Sequence, residues 1–162
     1  MIRYFSFFLL LFAVAFTKAQ TVKQVSFDEL QKKISDTKDS ILVLNFWATW
    51  CAPCVKELPY FEEVNKKYAS QKIKVVLVNL DFNSKIKSQV EPFVKNKKLQ
   101  SEILHITDTD PNTWIDKIDP SWSGAIPATI VYDASHEKIK VIEGETTFDK
   151  LEKIIQPYFK VN

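Results

Sequence analysis

The two cysteines of this 162-residue chain lie three positions apart and directly follow an apolar run. Residues 41–47 are apolar at nearly every position, as in a buried strand. The segment from Trp50 to Cys54 reads Trp-Cys-Ala-Pro-Cys, and a helical pattern extends from it through residue 69. Residues three positions apart on a helix lie about 5 Å apart on one face, which is the Cα spacing that a disulfide requires. The sequence therefore predicts a strand that leads into a redox-active Cys51–Cys54 pair at the start of a helix.

Two other uses of the cysteine pair fit the sequence less well. A structural disulfide that closes a four-residue loop would stabilise the fold by about 2 kcal/mol, against about 3 for a fifteen-residue loop, which is little for a domain of this size. A zinc site needs four ligands, but the chain has no second cysteine pair, and its only histidines, His105 and His136, are 31 residues apart. We therefore expect neither a metal ion nor another cofactor at this pair.

The first nineteen residues have the layout of a secretory signal peptide. Arg3 provides a positive start, residues 4–16 are almost wholly apolar, and residues 17–19 offer small side chains at the two positions that a signal peptidase reads. The apolar stretch is shorter than the about 20 residues that span a bilayer. We expect cleavage after Ala19 and a single mature domain of residues 20–162; an uncleaved N-terminal membrane anchor is the alternative.

The composition of the mature chain excludes several kinds of ligand. Without Arg3 and Lys18, 20 basic and 20 acidic residues remain, so that the net charge is near zero. Neither a nucleic acid nor an anionic membrane surface is therefore predicted as a partner. The chain has only two glycines, Gly124 and Gly144, which excludes the glycine-rich loops that bind phosphate groups.

Strand and helix patterns alternate along the mature chain. Ser26 followed by Glu29 forms the pattern of a capping box and predicts a helix through about Ser35. Pro59 lies inside the next predicted helix and cannot donate to the carbonyl of Val55, so we expect a kink there. The alternation predicts a layered α/β fold, with the last two strands as an antiparallel hairpin. The predicted strands are residues 41–47, 73–80, 103–107, 128–132 and 138–143, and the predicted helices are residues 26–35, 52–69, 86–98, 111–118 and 148–158.

The position of Cys51 predicts which of the two sulfurs is reactive. At the start of a helix it faces unpaired backbone N–H groups and the positive end of the helix dipole, and both favour the thiolate, which is the nucleophile. We expect Cys51 to attack a substrate disulfide and Cys54, one turn further along, to resolve the mixed disulfide. Pro53 fits a position in the first turn and stiffens the segment between the cysteines.

Three segments resemble a known superfamily. Residues 45–54 resemble the active-site segment of the thioredoxin superfamily, and residues 55–61, Val-Lys-Glu-Leu-Pro-Tyr-Phe, narrow the resemblance to its extracytoplasmic TlpA/ResA-like branch. Residues 124–129 resemble the cis-proline loop of the superfamily. The resemblance implies a thioredoxin fold, with a central mixed β-sheet flanked by helices. It also implies that the stretch from about Phe82 to Trp122 is a helix–strand insertion before the cis-proline loop.

The same resemblance implies a function and a set of contact residues. Members of this branch are thiol–disulfide oxidoreductases that reduce protein disulfides, often in cytochrome c maturation or envelope redox homeostasis. The expected substrate is thus a disulfide-bearing protein, the expected electron donor is a membrane thiol carrier, and the expected compartment is the bacterial periplasm. By this resemblance the substrate is bound at Trp50, Ala52, Pro53, Ile126 and Pro127, with a cis peptide bond before the last of these.

Glu57 is the candidate proton acceptor, and it joins Cys51 and Cys54 as the third predicted catalytic residue. It lies three residues beyond Cys54 on the same helix face, where a partly buried carboxylate with a raised pKa can take the proton that Cys54 loses. By the resemblance, an acid at this position tunes the site. The chain has Asn45 where ordinary thioredoxins have a buried aspartate, which removes their usual proton carrier. A solvated glutamate beside Lys56 is the alternative interpretation.

Other functions compete with a disulfide reductase. A thioredoxin-fold redox sensor or binding module would use the pair as a switch without turnover, and an insulin-reduction assay separates it from an enzyme. A peroxidase fits less well, because its attacking cysteine needs a nearby arginine and the mature chain has none. Reduction of substrates is favoured over oxidation, because the Ala52-Pro53 dipeptide lacks the histidine common in strongly oxidising relatives.

Overall fold

The computed structural model describes residues 20–37 and 39–158, and the interpretation of residues 1–19 as a signal peptide lies outside this part of the chain. Within these described residues, strands and α-helices alternate except for the last two strands, which follow one another directly, and none of the helices is both long and apolar enough to cross a membrane. The strands are β1 (Val22–Val25), β2 (Ile41–Trp47), β3 (Ile73–Asn79), β4 (Glu102–Ile106), β5 (Ala128–Tyr132) and β6 (Lys138–Glu143), and the helices are α1 (Phe27–Asp36), α2 (Ala52–Lys67), α3 (Glu91–Lys97), α4 (Ile115–Ile118) and α5 (Phe148–Ile155).

One mixed sheet forms the centre of the domain, in the strand order β1-β4-β3-β2-β5-β6. The first four strands of this order run parallel to one another, whereas β5 is antiparallel to β2 and β6 is antiparallel to β5. The β5–β6 pair confirms the predicted hairpin. The carboxyl ends of β2 and β3 meet at the same edge of the sheet, and the chain enters α2 from there.

Side chains of β2 alternate between two hydrophobic cores, one on each face of the sheet. Val43 and Trp47 pack on one face with side chains of α2, α3 and α5. Leu44 and Phe46 pack on the other face with side chains of α1 and α4. Because successive strand residues point to opposite faces, Asn45 lies on the same side as α2. A polar side chain is thereby buried in an apolar layer, where it needs a hydrogen-bond partner.

The short strand β1 is missing from the sequence-based prediction. It has four residues, two of them exposed, and it lies at the edge of the sheet. Its pairing partner is β4, where Val22 lies opposite Ile103. A strand of this length shows no clear alternation of polar and apolar residues, and its place is set by a distant segment of the chain.

The two helices predicted in the insertion are shorter than expected. Residues 86–98 divide into a π-helical turn, Ile86–Val90, and α3, because Pro92 lacks the N–H that would continue a regular helix. Residues 111–118 divide into a 3₁₀ turn, Pro111–Thr113, and α4. These segments and β4 precede the loop at residue 127, which confirms the predicted helix–strand insertion.

The capping box of α1 gives a first testable prediction. Ser26 Oγ accepts from the Glu29 backbone N–H at 3.2 Å, and the Ser26 N–H donates to Glu29 Oε2 at 2.8 Å. A Ser26→Ala variant is expected to lose about 1 kcal/mol of unfolding free energy, because the N–H of Glu29 then lacks its acceptor. Urea denaturation followed by circular dichroism measures the change.

A Ser35→Ala variant is the matched control for this prediction. Ser35 Oγ donates to the Lys32 carbonyl in the last turn of the same helix. Its removal is expected to change the unfolding free energy by less than about 0.5 kcal/mol, as for most surface substitutions. Equal losses in the two variants would show that the capping box has no special part in the stability of α1.

Candidate active site

Cys51 and Cys54 are joined in a disulfide at the start of α2. Their Cα atoms are 5.2 Å apart, in agreement with the spacing predicted from the sequence, so the structure shows the oxidised form of the pair. Cys51 is the N-cap residue of α2, and Pro53 lies half-buried in the first turn. Cys51 has 6% of its surface exposed, whereas Cys54 is fully buried. The outer sulfur is therefore the one that a substrate can reach.

Backbone groups at the start of α2 favour negative charge on Cys51. The Cys54 N–H donates to Cys51 Sγ, with 3.3 Å between nitrogen and sulfur. The positive end of the helix dipole adds to this effect, and no acidic residue lies in the first turn of α2 to oppose it. In the reduced pair the same N–H can donate to a Cys51 thiolate, which supports its predicted role as the nucleophile.

The loop before β5 places a backbone carbonyl against the cysteine pair. The Ile126–Pro127 peptide bond is cis, as the resemblance implies. Ile126 O lies 3.8 Å from Cys51 Sγ; since a disulfide-bonded sulfur carries no proton, this is a packing contact and not a hydrogen bond. The buried Trp122 supports the loop, because its Nε1–H donates to Ala125 O at 2.8 Å. The loop is thereby held next to the outer sulfur.

Two tryptophans near the pair have different environments. Trp47 at the end of β2 is fully buried and packs against Phe93 with 5.4 Å between ring centroids, so it belongs to the core. Trp50, directly before Cys51, has 63% of its surface exposed, and Ala52 is exposed on the other side of Cys51. Trp50 and Ala52 thus border the outer sulfur on the protein surface.

Glu57 is buried on the sheet side of α2, with 1% of its surface exposed. Its Oε1 accepts from Asn45 Nδ2 at 2.7 Å, and its Oε2 accepts from the Thr146 N–H at 2.8 Å. Burial raises the pKa of this carboxyl to about 7, although both hydrogen bonds act to lower it. The alternative of a solvated glutamate beside Lys56 is therefore wrong.

Cys54 and Glu57 share the buried face of α2. Residues three positions apart on a helix have Cβ atoms about 5–6 Å apart, so Glu57 is a neighbour of Cys54 on this face. A carboxyl with a pKa of about 7 is half ionised at neutral pH, and it can both accept and release a proton there. These properties support the prediction that Glu57 accepts the proton of Cys54.

Sequence reasoning missed two residues that hold the site in place. Thr146 donates to Glu57 from the loop before α5, 89 positions further along the chain. Asp81, which follows β3 closely, is buried and accepts from the N–H and the hydroxyl of Thr49, two residues before Cys51. An acidic residue just beyond an apolar strand is a usable signal for Asp81, whereas no local pattern marks Thr146.

The two histidines make structural contacts. His105 in β4 is fully buried, with Nδ1 2.9 Å from Asn79 Oδ1 and Nε2 2.7 Å from Asn83 Oδ1, and burial lowers its pKa. His136 Nε2 lies 2.8 Å from the Thr37 carbonyl oxygen. Among residues 20–37 and 39–158, no three His, Cys, Asp or Glu side chains group closely enough to hold a metal ion.

Comparison with known families adds to this geometry. Residues 15–142 match the model of the AhpC/TSA family, which covers more than half of the chain. The chain belongs to the AhpC/TSA family. The matched range includes both cysteines, Glu57 and the cis-proline loop.

This AhpC/TSA-family protein is similar to the thiol-disulfide oxidoreductase ResA of Bacillus subtilis. The two are 33% identical over 129 residues, which make up 80% of this chain and 65% of the relative. The chain spans slightly less than two thirds of the length of the first curated relatives that it matches. The predicted resemblance to the TlpA/ResA-like branch of the thioredoxin superfamily is confirmed.

Two solved structures share the fold of this AhpC/TSA-family protein. A DsbF homologue from Corynebacterium diphtheriae aligns with a TM-score of 0.63 and 32% identity, over 76% of this chain and 75% of the other. A secreted thiol-disulfide isomerase from Corynebacterium glutamicum aligns with a TM-score of 0.65 and 25% identity, over 77% of this chain and 74% of the other. The predicted thioredoxin fold is confirmed.

Proposed function

We propose that this protein is an exported thiol–disulfide oxidoreductase that reduces disulfides of protein substrates. The arrangement of the pair is the observation that carries the proposal. Cys51 Sγ accepts a backbone N–H of α2 beside an exposed surface, and Cys54 is buried three residues before the buried Glu57 on the same helix. The name of the Bacillus subtilis relative supports the same class of reaction.

In the first step the Cys51 thiolate attacks a disulfide of the substrate. A bond forms between Cys51 Sγ and one substrate sulfur, the substrate S–S bond breaks, and the second substrate sulfur leaves as a thiolate that takes a proton from water. The Cys54 N–H and the dipole of α2 stabilise the attacking thiolate. This step leaves the substrate bound to Cys51 as a mixed disulfide.

In the second step Cys54 resolves the mixed disulfide. Its thiol passes its proton to Glu57, and the resulting thiolate attacks Cys51 Sγ and displaces the substrate sulfur as a thiolate, which takes a proton from water. The pair loses two electrons and ends as the Cys51–Cys54 disulfide of the structure, whereas the substrate gains two electrons and leaves as a dithiol. When a donor dithiol reduces the pair again, Glu57 returns the proton to Cys54.

The proposal includes a cellular setting. We place the domain in the bacterial periplasm, where a membrane thiol carrier supplies electrons and the substrate belongs to cytochrome c maturation or envelope redox homeostasis. The structural neighbour from Corynebacterium glutamicum is a secreted protein, which supports export. An uncleaved N-terminal anchor would leave the domain in the same compartment. The Ala52-Pro53 dipeptide supports reduction as the direction.

Reduction of insulin by dithiothreitol tests the proposed activity. The protein is expected to shorten the lag before insulin precipitates, in proportion to its concentration, because each molecule passes repeatedly through both steps. A Cys51→Ser variant is the control, and its lag is expected to equal that of dithiothreitol alone. A wild-type lag equal to this control would overturn the enzymatic proposal.

A redox sensor or binding module is the second candidate function. Such a protein would form and break its disulfide in glutathione buffers without shortening the insulin lag. The same glutathione equilibration gives the reduction potential of the pair. A potential near the about −120 mV of strong oxidants would reverse the proposed direction of electron transfer.

A further inference from the structure

Few large hydrophobic side chains of the described residues are exposed to water. Among residues 20–37 and 39–158, three large hydrophobic side chains are exposed. They are Trp50, Phe82 and Tyr158, with 63%, 75% and 44% of their surface exposed. An exposed ring leaves apolar surface in water, and a bound partner that covers it gains free energy. Two of the three, Trp50 and Phe82, lie on segments that adjoin Cys51.

Hydrogen bonds tie the segment of Phe82 to the segment before Cys51. Asp81 accepts from the Thr49 N–H at 2.8 Å and from the Thr49 hydroxyl at 2.5 Å. Phe82 directly follows Asp81, and Trp50 directly follows Thr49. The two segments leave adjacent parallel strands at the same edge of the sheet. Trp50 and Phe82 are therefore exposed aromatic residues on two segments that are bonded to each other just before Cys51, and we refer to the two residues together as the aromatic face.

The aromatic face has a rigid support. Asp81 is buried and accepts a third hydrogen bond, from Asn79 Nδ2 at 2.7 Å. Asn79 Oδ1 in turn lies 2.9 Å from Nδ1 of the buried His105. A buried carboxylate with several donors holds the residues around it in one geometry. The chain segments that carry the two rings are therefore held in place before a partner arrives, which reduces the entropy lost on binding.

We propose that the aromatic face docks the disulfide-bearing protein substrate and that Phe82 is its specificity-determining residue. This inference rests on the proposed reductase function. In the mixed disulfide, a substrate sulfur lies about 2.05 Å from Cys51 Sγ. A standard protein interface covers about 800 Å² per partner, equivalent to a disc about 16 Å in radius around that bond. We expect a substrate of this size to reach the turn of Phe82, because the Asp81 side chain links that turn to the segment before Cys51.

The chemistry of the face indicates the kind of segment that binds there. Aromatic rings pack well against aromatic and aliphatic side chains. On the other side of Cys51, the Ile126 carbonyl oxygen lies 3.8 Å from Sγ, next to the path of the substrate backbone. The occupant is an extended substrate segment with an apolar side chain beside its cysteine. A small disulfide reaches Cys51 without covering Phe82.

A comparison of a protein disulfide with a small disulfide tests the role of Phe82. Pre-reduced Phe82→Ser protein is expected to reduce insulin about thirtyfold more slowly than wild type, as for an interface hot spot. Its rate with oxidised glutathione is expected to change less than about twofold, because a small disulfide does not cover the face. Its melting temperature is expected to match wild type, because the ring is exposed.

A Tyr158→Ser variant is the matched control. Tyr158 is exposed and follows α5, whose Glu152 accepts from Nζ of Lys67 at the end of α2 opposite to Cys51. Its removal is expected to leave the rates with both disulfides unchanged. A loss of insulin reduction in this variant equal to that in Phe82→Ser would show that any exposed ring has the effect, and would overturn the proposal.

Other outcomes separate the docking proposal from the reductase function. If Phe82→Ser reduces insulin at the wild-type rate, or loses rate equally with both disulfides, the docking proposal fails and the reductase function stands. If the wild-type protein reduces neither disulfide, the reductase function fails. The docking proposal is then decided by the rate at which insulin forms a mixed disulfide with Cys54→Ser protein, measured with and without the Phe82→Ser change. If analytical sedimentation shows that the wild type is a dimer and the Phe82→Ser variant a monomer, the aromatic face binds a second copy of the chain. That result would overturn the docking proposal.

Discussion

A Cys54→Ser variant is expected to lose catalytic turnover and to accumulate as a mixed disulfide between Cys51 and its substrate. A serine hydroxyl cannot displace a substrate sulfur from Cys51, so the first step takes place and the second does not. Insulin reduction is expected to fall to the rate of dithiothreitol alone. Non-reducing electrophoresis of the pre-reduced variant mixed with insulin is expected to show an adduct that dithiothreitol removes.

A Cys51→Ser variant is the matched control, because each variant lacks one sulfur and the disulfide. It is expected to form no adduct, since the remaining sulfur of Cys54 is fully buried. Adducts of Cys51→Ser in the absence of adducts of Cys54→Ser would reverse the attacking and resolving roles. Mass spectrometry of the partners that Cys54→Ser captures in cells would distinguish an apocytochrome c, another oxidoreductase and a damaged envelope protein as substrate.

A Glu57→Gln variant is expected to slow the resolution step by about a hundredfold or more at neutral pH. A positioned general base contributes about 10²–10⁴-fold to such a proton transfer. In the wild type only the ionised carboxylate accepts the Cys54 proton, so the rate is expected to rise with pH through the pKa of about 7. Stopped-flow release of substrate thiol from a preformed mixed disulfide measures both effects, and the inflection is expected to be absent from the variant.

A Glu63→Gln variant is the control for this prediction. Glu63 is an exposed acid on the same helix, and its replacement is expected to leave the rate and the pH profile unchanged. A Glu57→Gln profile identical to that of the wild type would end the assignment of Glu57 as proton acceptor. It would leave the roles of the two cysteines untouched, since those are tested by trapping.

The buried carboxyl of Glu57 also links the stability of the oxidised protein to pH. Its pKa is about 7 in the folded state, against 4.5 for the ordinary glutamate of the unfolded state. Below the lower value it is protonated in both states, and its contribution to stability is fully present. Between the two values only the unfolded state ionises, so the contribution is lost as pH rises, by about 3 kcal/mol at about 1.36 kcal/mol per pKa unit.

Urea unfolding of wild type and Glu57→Gln between about pH 4.5 and pH 8 measures this loss, which is expected only in the wild type. Carboxyls with a lowered pKa, such as Asp119 at about 2, change the stability only below this pH range, and they are present in both proteins. The difference between the two curves therefore reports on Glu57 alone. A wild-type curve parallel to that of the variant would show that the folded carboxyl ionises like an exposed one.

Local patterns in the sequence predict the parts of the site that depend on neighbouring residues. The apolar run of residues 41–47 identifies β2, because a strand buried on both faces has no polar alternation. The spacing of Cys51 and Cys54 predicts their shared helix face, since helix geometry alone fixes it. The resemblance adds the cis bond before Pro127, which no local pattern of this loop would single out.

Contacts between distant segments explain what the sequence does not predict. The helix pattern places Glu57 on the face of Cys54, but its burial depends on Asn45 of β2 and on the backbone of Thr146, 89 positions away. The choice between a solvated and a buried glutamate is therefore invisible in the helix itself. The contact of Asp81 with Thr49 likewise joins residues 32 positions apart.

Cys51, Cys54 and Glu57 all belong to one helix or its cap, which has a mechanical consequence. In ordinary thioredoxins the proton carrier lies on the strand that precedes the cysteine helix. Its distance from the thiols therefore depends on how that helix packs against the sheet. Here a small sliding of α2 keeps the carboxyl and the inner thiol together and instead stretches the bonds from Asn45 and Thr146. Those two hydrogen bonds lower the pKa of Glu57, so stretching them would raise it. The distance that the proton travels between Glu57 and Cys54 would stay the same.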